Sequence, residues 1–294
     1  MTKIGAGYQG ASIEAIRHHY DAGNEFYQLW LDPSLTYSCA CWADTDADDD
    51  LESAQMRKLD YHITQARAEG ADRVLDVGCG WGSLTRRLVE RHRVHHAVGL
   101  TLSQAQFEWL GRHSDDRIEI RLENWFDHRP ERPYDALLAV ASFEAFASPH
   151  LSRAQRINAY SDFFARCHQW LVPGGRMSMQ TIAWGSASRR ASSGFIEREI
   201  FPDSDLPTLE EIAAATSGYF ETVLVRNDRI DYERTALVWF TRLRRIRPQA
   251  VALVGENVVR RYEKYLKLAR IAFHTGKLHL YRITLCREPD RIWQ

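Results

Sequence analysis

Two stretches of this sequence carry side chains whose type and spacing could do chemistry. The first is "VLDVGCGWGSL", residues 74–84, which sets Asp76, Gly78, Gly80 and Gly82 where an apolar run meets an amphipathic one. Glycines at a strand-to-helix turn let the backbone turn tightly and approach a ligand closely. The spacing G-C-G-W-G is not the G-x-G-x-x-G of dinucleotide sites, and an aspartate lies inside the preceding run. A carboxylate there suits an amine or ammonium and would repel a pyrophosphate. S-adenosylmethionine carries an ammonium, a sulfonium and no phosphate, so it is the ligand this turn suits, with a nicotinamide dinucleotide as the competitor.

The second stretch is "ASFEAFASP", residues 141–149, where Glu144 sits between Phe143 and Phe146 after the apolar run "YDALLAVA". Burying an unpartnered carboxylate is expensive or raises its pKa. Glu144 is therefore either a base or cation stabiliser at a crevice, or a structural glutamate bonded to backbone at a strand end. Tyr232 either bonds to Glu144 or to a bound anion, or packs at the start of a helix. In "GLTLSQAQ", Thr101, Ser103, Gln104 and Gln106 stand where many nucleotide sites hold ribose hydroxyls, and a glutamine can both donate and accept. Trp125 in "ENWF" offers either an adenine-stacking face or a core side chain.

Elements that would position these groups follow from the hydrophobic pattern. From residue 73 strand-like runs alternate with helical ones: "RVLDVG", "HHAVGLTL", "IEIRL", "DALLAVA", "RMSMQTI" and "KLHLYRITLC" against "SLTRRLVERH", "SQAQFEWLGRH" and "RAQRINAYSDFFARCHQWL", the last ended by "VPGG". Such alternation implies an α/β fold, a parallel sheet with helices on both faces and a ligand crevice at the carboxyl ends of the strands. "TVLVRNDRIDY" reads as a further strand and "ALVGENVVRRYEKYLKLARIAFHTG" as one long helix. Upstream, "SIEAIRHHYDAGNEFYQLWL" reads as one or two short helices, and Asp48 to Asp50 cap a helix over "LESAQMRKLDYHITQARA". The organisation expected is an N-terminal helical cap over 1–70, a core over 71–294 and a lid insertion over 184–215.

Composition narrows the function classes. The chain has 294 residues, 45% of them hydrophobic, and a formal net charge of -1, which suits one large domain with additions and argues against nucleic-acid binding. Only Lys3, Lys58, Lys264, Lys267 and Lys277 are lysines, so the positive charge is nearly all arginine. Cysteines at 39, 41, 79, 167 and 286 form neither a disulfide framework nor a zinc site, and no metal is expected. The first residues hold no apolar signal core and no run reaches membrane-spanning length, which gives the expectation of a cytoplasmic protein. Arg189, Arg190, Arg242, Arg244, Arg245, Arg247, Arg260 and Arg261 could receive a carrier-bound substrate's phosphate or a lipid head group at the surface, or form a solvated basic face.

In order along the chain, "HHYDAGNEFYQLWLDPSLTYSCACW", "AQMRKLD", "VLDVGCGWGSL", "GLTLSQAQ", "FEAF", "PGGRMSMQTI", "FIEREIFPDSDLP" and "RTALVWF" are similar to the cyclopropane fatty acid synthase family of methyltransferases. The match runs over residues 14–285 and most resembles the mycolic acid cyclopropane synthase branch. The resemblance implies a class I methyltransferase fold, Rossmann-like, whose seven-stranded sheet ends in an antiparallel strand. It implies that Tyr37 and Ser38 touch adenosylmethionine, that Gly78 and Gly80 back its methionine part, that Thr101, Leu102 and Gln106 hold the ribose, and that Trp125 meets the adenine. It further implies a bicarbonate ion beside the transferable methyl, at positions matching Cys39, Glu144, Gln180, Ile182 and Tyr232. Two family histidines are replaced here, by Ala145 and Gln180, and Tyr281 and Arg282 stand where the family has a glutamine near the last strand.

The chemistry this implies is methyl transfer to carbon, at an alkene of an acyl chain or specialised metabolite. Methylation of an alkene leaves a carbocation, which aromatic faces stabilise; Tyr20, Phe26, Tyr37, Trp42, Phe143, Phe146 and Trp184 are the rings that could do so. Loss of a proton from the new methyl closes a cyclopropane, and loss from a neighbouring carbon leaves a methyl branch. Methylation of a small-molecule amine, or adenosylmethionine binding without methyl transfer, are the alternatives.

Overall fold

The computed structural model describes residues 7–12, 14, 22–43, 49–112, 115–186 and 204–288. Among them the chain forms α1 (Asn24–Gln28), α2 (Leu51–Gln65), β1 (Arg73–Val77), α3 (Ser83–Arg91), β2 (His96–Thr101), α4 (Gln104–Gly111), β3 (Ile118–Leu122) and β4 (Tyr134–Val140). A short 3-10 turn, Phe143–Ala145, is followed by α5 (Arg153–Trp170), β5 (Leu171–Trp184), α6 (Leu209–Thr216), β6 (Glu221–Asn227), α7 (Arg229–Arg245), α8 (Arg247–Val254), α9 (Glu256–His274) and β7 (Leu278–Cys286). The seven strands make one sheet in the order β3-β2-β1-β4-β5-β7-β6. Pairings from β3 through β5 are parallel, while β7 runs antiparallel to both β5 and β6. This is the Rossmann-like class I methyltransferase architecture. Strand order reverses between β1 and β4, so the crevice opens at their carboxyl ends.

Local chemistry explains the element ends. Asp50 caps α2 by accepting from the Ser53 N–H, and Ser152 and Gln155 form a capping box at the start of α5. The expected long helix from residue 252 divides at Gly255, whose φ of 83° no L side chain adopts cheaply, so α9 starts at Glu256 and α8 is separate. "DRIDY" is not strand: β6 ends at Asn227 and α7 begins at Arg229. Nor does "VPGG" form a plain loop, because β5 already starts at Leu171 and absorbs it as an irregularity in the pairing with β4.

Most of the expected lid, residues 187–203, lies outside the described residues, as do Tyr20, Arg189 and Arg190. Its far end, α6, buries Ile212 and Ala215 in the same core as Phe163 and Phe164 of α5, and Arg156 binds Glu211 across that contact. The N-terminal segment shares a second core with the last helices: Phe26, Tyr27 and Trp30 meet Trp239 of α7 and Tyr262 of α9. That core brings residues 26–42 against Trp81 of the turn that follows β1.

Candidate active site

At the end of β1 the chain turns through Gly78, at φ 86°. A Cβ on Gly78 would lie 2.5 Å from the Ser142 Cβ, because the ends of β1 and β4 are drawn together by the Ser142 hydroxyl donating to the Val77 carbonyl at 2.7 Å. Gly80, at φ 56°, has open space where a side chain would be. On the neighbouring strand Thr101 donates to Gln106 Oε1 at 2.8 Å, while Ser103 caps α4 by accepting from the Gln106 N–H. The amide oxygen is thereby engaged, and Gln106 Nε2 is buried without a hydrogen-bond partner among the described residues. An unmet donor facing the crevice, beside a glycine turn that admits close approach, fits the ribose and methionine parts of adenosylmethionine. Leu102, half-buried, links Thr101 to the Ser103 cap.

Trp125 is first of all a core residue. It is 5% exposed and is enclosed by Tyr8, Phe126, Phe146 and Phe163 in edge or tilted contacts. Tyr37 is half-buried against Tyr27, Trp30 and Trp239. Ser38 accepts from Lys58 Nζ at 2.7 Å, and its carbonyl accepts from Gln55 Nε2 at 2.9 Å. Asp76 is buried, and burial pushes its carboxyl up to about 7.

Past β4, Ala141 takes a positive φ of 59° and anchors its N–H on the Gln180 carbonyl. That kink turns the chain into the short 3-10 turn and points Glu144 back at β5. Glu144 Oε1 accepts from the Ile182 N–H at 2.6 Å, whereas Oε2 is buried with no protein partner. Burial pushes this carboxyl up to about 7, against the pull of the Ile182 hydrogen bond. Since the second oxygen has no hydrogen-bond partner among the described residues, the reading in which Tyr232 bonds to it is not realised there, which leaves the bound-anion and packing readings. Tyr232 instead stacks on Phe273, with ring centroids 4.3 Å apart.

Gln180 is held by a residue that the sequence marks only as a departure. Arg282, fully buried on β7 and directly opposite Gln180 in the register, donates from Nε to Gln180 Oε1 at 3.0 Å and from Nη2 to the Ala40 carbonyl at 2.8 Å. Its charge is met by Asp228 in direct contact and by Asp231 at 3.6 Å. Gln180 Nε2 remains buried without a partner, a donor whose direction Arg282 fixes. His62 completes this layer, bonded to the Ser178 hydroxyl at 2.8 Å, with burial pushing its imidazole down towards the neutral form.

Several expectations need correction. The Cys39 thiol is wholly buried, donates to the Ala40 carbonyl at 3.2 Å and is pushed far from ionisation by burial, so a contact with a bound ion there would come from the Cys39 backbone. Phe143 and Phe146 are not free faces for a cation; Phe143 stacks on Tyr160 and both lie in the α5 core. Trp42 already carries the Arg234 guanidinium over its ring, at 4.1 Å. Of the basic surface residues, Arg247 binds Glu256 and Glu263, Arg244 faces Glu263, and Arg242 donates to the Leu31 carbonyl.

Lys58, His62 and Gln55 were missed, although a signal existed. The buried face of α2 runs Leu51, Ala54, Gln55, Lys58, Leu59, His62, Ile63, a 3.6-residue period that places three polar side chains in the core. Among the described residues no cluster of side chains fits a metal ion, no cysteine is paired, and no helix is long and apolar enough to cross a membrane.

The family model described as mycolic acid cyclopropane synthetase matches residues 9–283. Cyclopropane mycolic acid synthase 2 of Mycobacterium leprae is 34% identical over 276 residues, covering 86% of this chain and 87% of that protein. Cyclopropane mycolic acid synthase MmaA2 of Mycobacterium tuberculosis is 31% identical over 94% of this chain and 97% of its own. The solved structure of MmaA2 superposes with a TM-score of 0.84 at 29% identity over 95% of this chain and 99% of that one. Cyclopropane synthase CmaA1, solved with S-adenosylhomocysteine and the detergent CTAB, gives a TM-score of 0.83 at 29% identity, covering 95% and 99%. A family match that spans the glycine turn of β1 and the carboxylate at the end of β4 leads to one assignment: this chain belongs to the mycolic acid cyclopropane synthetase family.

Proposed function

We propose that this chain, an S-adenosylmethionine-dependent methyltransferase of the cyclopropane synthase type, transfers its methyl group to an alkene carbon of an acyl chain or related metabolite, with Glu144 as the base. The observation that carries this reading is the state of Glu144: one oxygen is fixed by the Ile182 N–H and the other is buried with no hydrogen-bond partner among the described residues. When bound, adenosylmethionine supplies an electrophilic sulfonium methyl, which the alkene π pair takes while the carbon–sulfur pair stays on sulfur and the positive charge passes to the substrate.

The chain's own residues then have three tasks. Gly78, Gly80 and the Thr101–Gln106 pair hold the cofactor in line. The aromatic layer of Tyr37, Trp239 and Tyr232 keeps water from the cation. Glu144 Oε2 takes the proton that the cation must lose, and the electron pair of that C–H bond closes a cyclopropane or forms a double bond. A carboxyl raised to about 7 is partly ionised at neutral pH and is strong enough as a base for so acidic a proton. Gln180 Nε2, aimed by Arg282, is a neutral donor to the carboxylate oxygen or to a water between them.

The residues present do not fit a bicarbonate in the way the resemblance implied. The Ile182 N–H is already given to Glu144, Gln180 Oε1 is already given to Arg282, and a glutamine takes up no proton. No step is therefore routed through that ion, and Glu144 acts directly. Carrier-bound delivery of the acyl chain and residence in the cytoplasm are kept as parts of this proposal; the paired arginines on α7 to α9 favour a solvated basic surface over a dedicated phosphate site.

The test is incubation with methyl-labelled adenosylmethionine and a panel of alkenyl acyl substrates and small amines. A gain of one labelled carbon on an alkene supports the proposal, and the absence of a new methyl resonance identifies the cyclopropane. Label on amines alone would assign N-methylation, and tight binding of adenosylmethionine with no transfer to either class would assign a binding role.

A further inference from the structure

Lys58 is a buried charge without a counter-ion. It is 1% exposed on the core face of α2, and its one hydrogen bond among the described residues runs to a neutral hydroxyl, Ser38 Oγ. No carboxylate of the described residues lies within ion-pair distance of it. Asp32 and Asp76 act on it only through space, and the oxygens of Asp32 are taken by the Ser34 and Thr36 N–H groups and the Ser34 hydroxyl. Arg282 adds repulsion from the β7 side. An isolated ammonium in a protein interior costs several kcal/mol, so its retention needs a reason outside the chain's own packing.

Asp76 mirrors it with the opposite sign. It is 2% exposed on β1, two residues before the Gly78 turn, and makes no side-chain hydrogen bond among the described residues. Lys58 and Asp76 feel one another's charge without closing to an ion pair. A buried amine and a buried carboxyl held apart in this way complement a ligand that carries both charges on one carbon.

We propose that Lys58, together with the Ser38 hydroxyl that it holds, recognises the α-carboxylate of the methionyl end of adenosylmethionine, while Asp76 takes the α-ammonium. This rests on the adenosylmethionine reading above and adds a residue to it. The geometry assigns the hydrogens: Ser38 Oγ accepts from Lys58 Nζ, which leaves the hydroxyl proton to give to the carboxylate, and two further ammonium protons remain on Lys58. Burial supports it from both sides, since it pushes the amine down to about 7 and the carboxyl up to about 7. Each group gains its charge most readily when the opposite charge arrives. The groups facing Lys58 are Ser38 and Cys39 from the loop before α2, Asp32 after α1, Asp76 of β1, Arg282 of β7, and His62 one turn along its own helix.

The experiment is calorimetric binding of two ligands to wild type and to Lys58→Met: S-adenosylhomocysteine, and its decarboxylated analogue, which keeps the amine and adenosine. A lost buried charge contact corresponds to about 30-fold or more in affinity. The expected result is that Lys58→Met loses about that factor for S-adenosylhomocysteine and changes the analogue by less than about threefold. The unliganded variant should melt no lower than wild type, because methionine fills the same space without the charge. Lys58→Arg, if its longer side chain reaches the carboxylate, should restore part of the selectivity, and Ser38→Ala should reproduce part of the loss. Equal losses for both ligands, or a large drop in the melting temperature of the unliganded variant, would make Lys58 a structural residue and overturn the assignment. Failure of wild type to bind either ligand would sink the adenosylmethionine reading along with it.

Discussion

The two halves of the crevice are built differently. The ribose side of the cofactor half, at β1 and β2, is assembled from neighbours in sequence: Thr101 meets Gln106 five residues on, Ser103 caps the helix that carries Gln106, and the turn itself is glycine backbone. The reaction half, at β4, β5 and β7, is assembled from distant ones: Glu144 meets the Ile182 N–H across 38 residues and Gln180 meets Arg282 across 102. Local assembly leaves a motif that can be read directly. Distant assembly lets two side chains be matched to one another across the sheet, as Gln180 and Arg282 are here. Chemistry can therefore drift in the second half while the cofactor stays the same.

The sharpest separation of the halves is Glu144→Gln. It keeps the Ile182 hydrogen bond and the shape of the turn but removes the base, so turnover should fall by about 100- to 10,000-fold while S-adenosylhomocysteine binds within about threefold of wild type. Steady-state rates beside calorimetry read both numbers. Unchanged turnover would return Glu144 to a purely structural role.

Arg282→Met strikes the same half through its support. Asp228 keeps Arg226 but loses its buried partner, Asp231 loses the same charge, and Gln180 loses the group that orients it, so stability should drop by about 3 kcal/mol, the low end for removing one side of a buried ion pair. Denaturant unfolding measures that. Gln180→His in the wild-type background asks the converse question: if bicarbonate stimulates the variant and not the parent, the loss of that histidine removed the ion.

Gly78→Ala breaks the other half. The new Cβ would meet Ser142 at 2.5 Å and the φ of 86° disfavours any side chain, so S-adenosylhomocysteine affinity should fall by about 10- to 100-fold. Residual turnover at saturating cofactor should stay closer to wild type than in Glu144→Gln. Comparable kcat losses in both variants would mean that the two halves are not separable.

How much of this was readable follows the same division. Alternating strand and helix patterns gave the sheet because β1, β2 and β4 are nearly continuous apolar runs, as strands covered on both faces must be. Asp50 and the glycine turn were readable because their partners lie within a few residues. Arg282 could not be placed from sequence: its role depends on the antiparallel register that sets it opposite Gln180, and register is a property of two strands. Phe143 misled because an aromatic ring looks the same in sequence whether it faces a ligand or Phe163, and for the same reason sequence left Trp125 open between an adenine face and the core. Lys58 could have been found, since it falls on the apolar face of α2 where charge does not belong.

The smallest effect joins the halves through protons. Glu144 and Asp76 are both pushed up by burial to about 7, from ordinary values of 4.5 and 3.8. Each holds its proton more tightly folded than unfolded, so its contribution to stability is full below the unfolded value and is lost as pH rises to about 7. Lys58 runs the other way: with its amine pushed down to about 7 from 10.5, the unfolded chain binds the extra proton above neutrality, and stability recovers as pH rises further. The unliganded protein should therefore show a shallow minimum in melting temperature near neutral pH. Glu144→Gln should flatten the acid limb and leave the alkaline one, while Lys58→Met should do the reverse. S-adenosylhomocysteine should raise the minimum by drawing Asp76 and Lys58 into their charged forms, without altering the share that belongs to Glu144. If melting curves of wild type and Glu144→Gln run parallel from about pH 5 to about pH 8, Glu144 is already ionised at the low end. It would then be too weak a base to be singled out from any surface carboxylate, and the reaction half would need another proton acceptor.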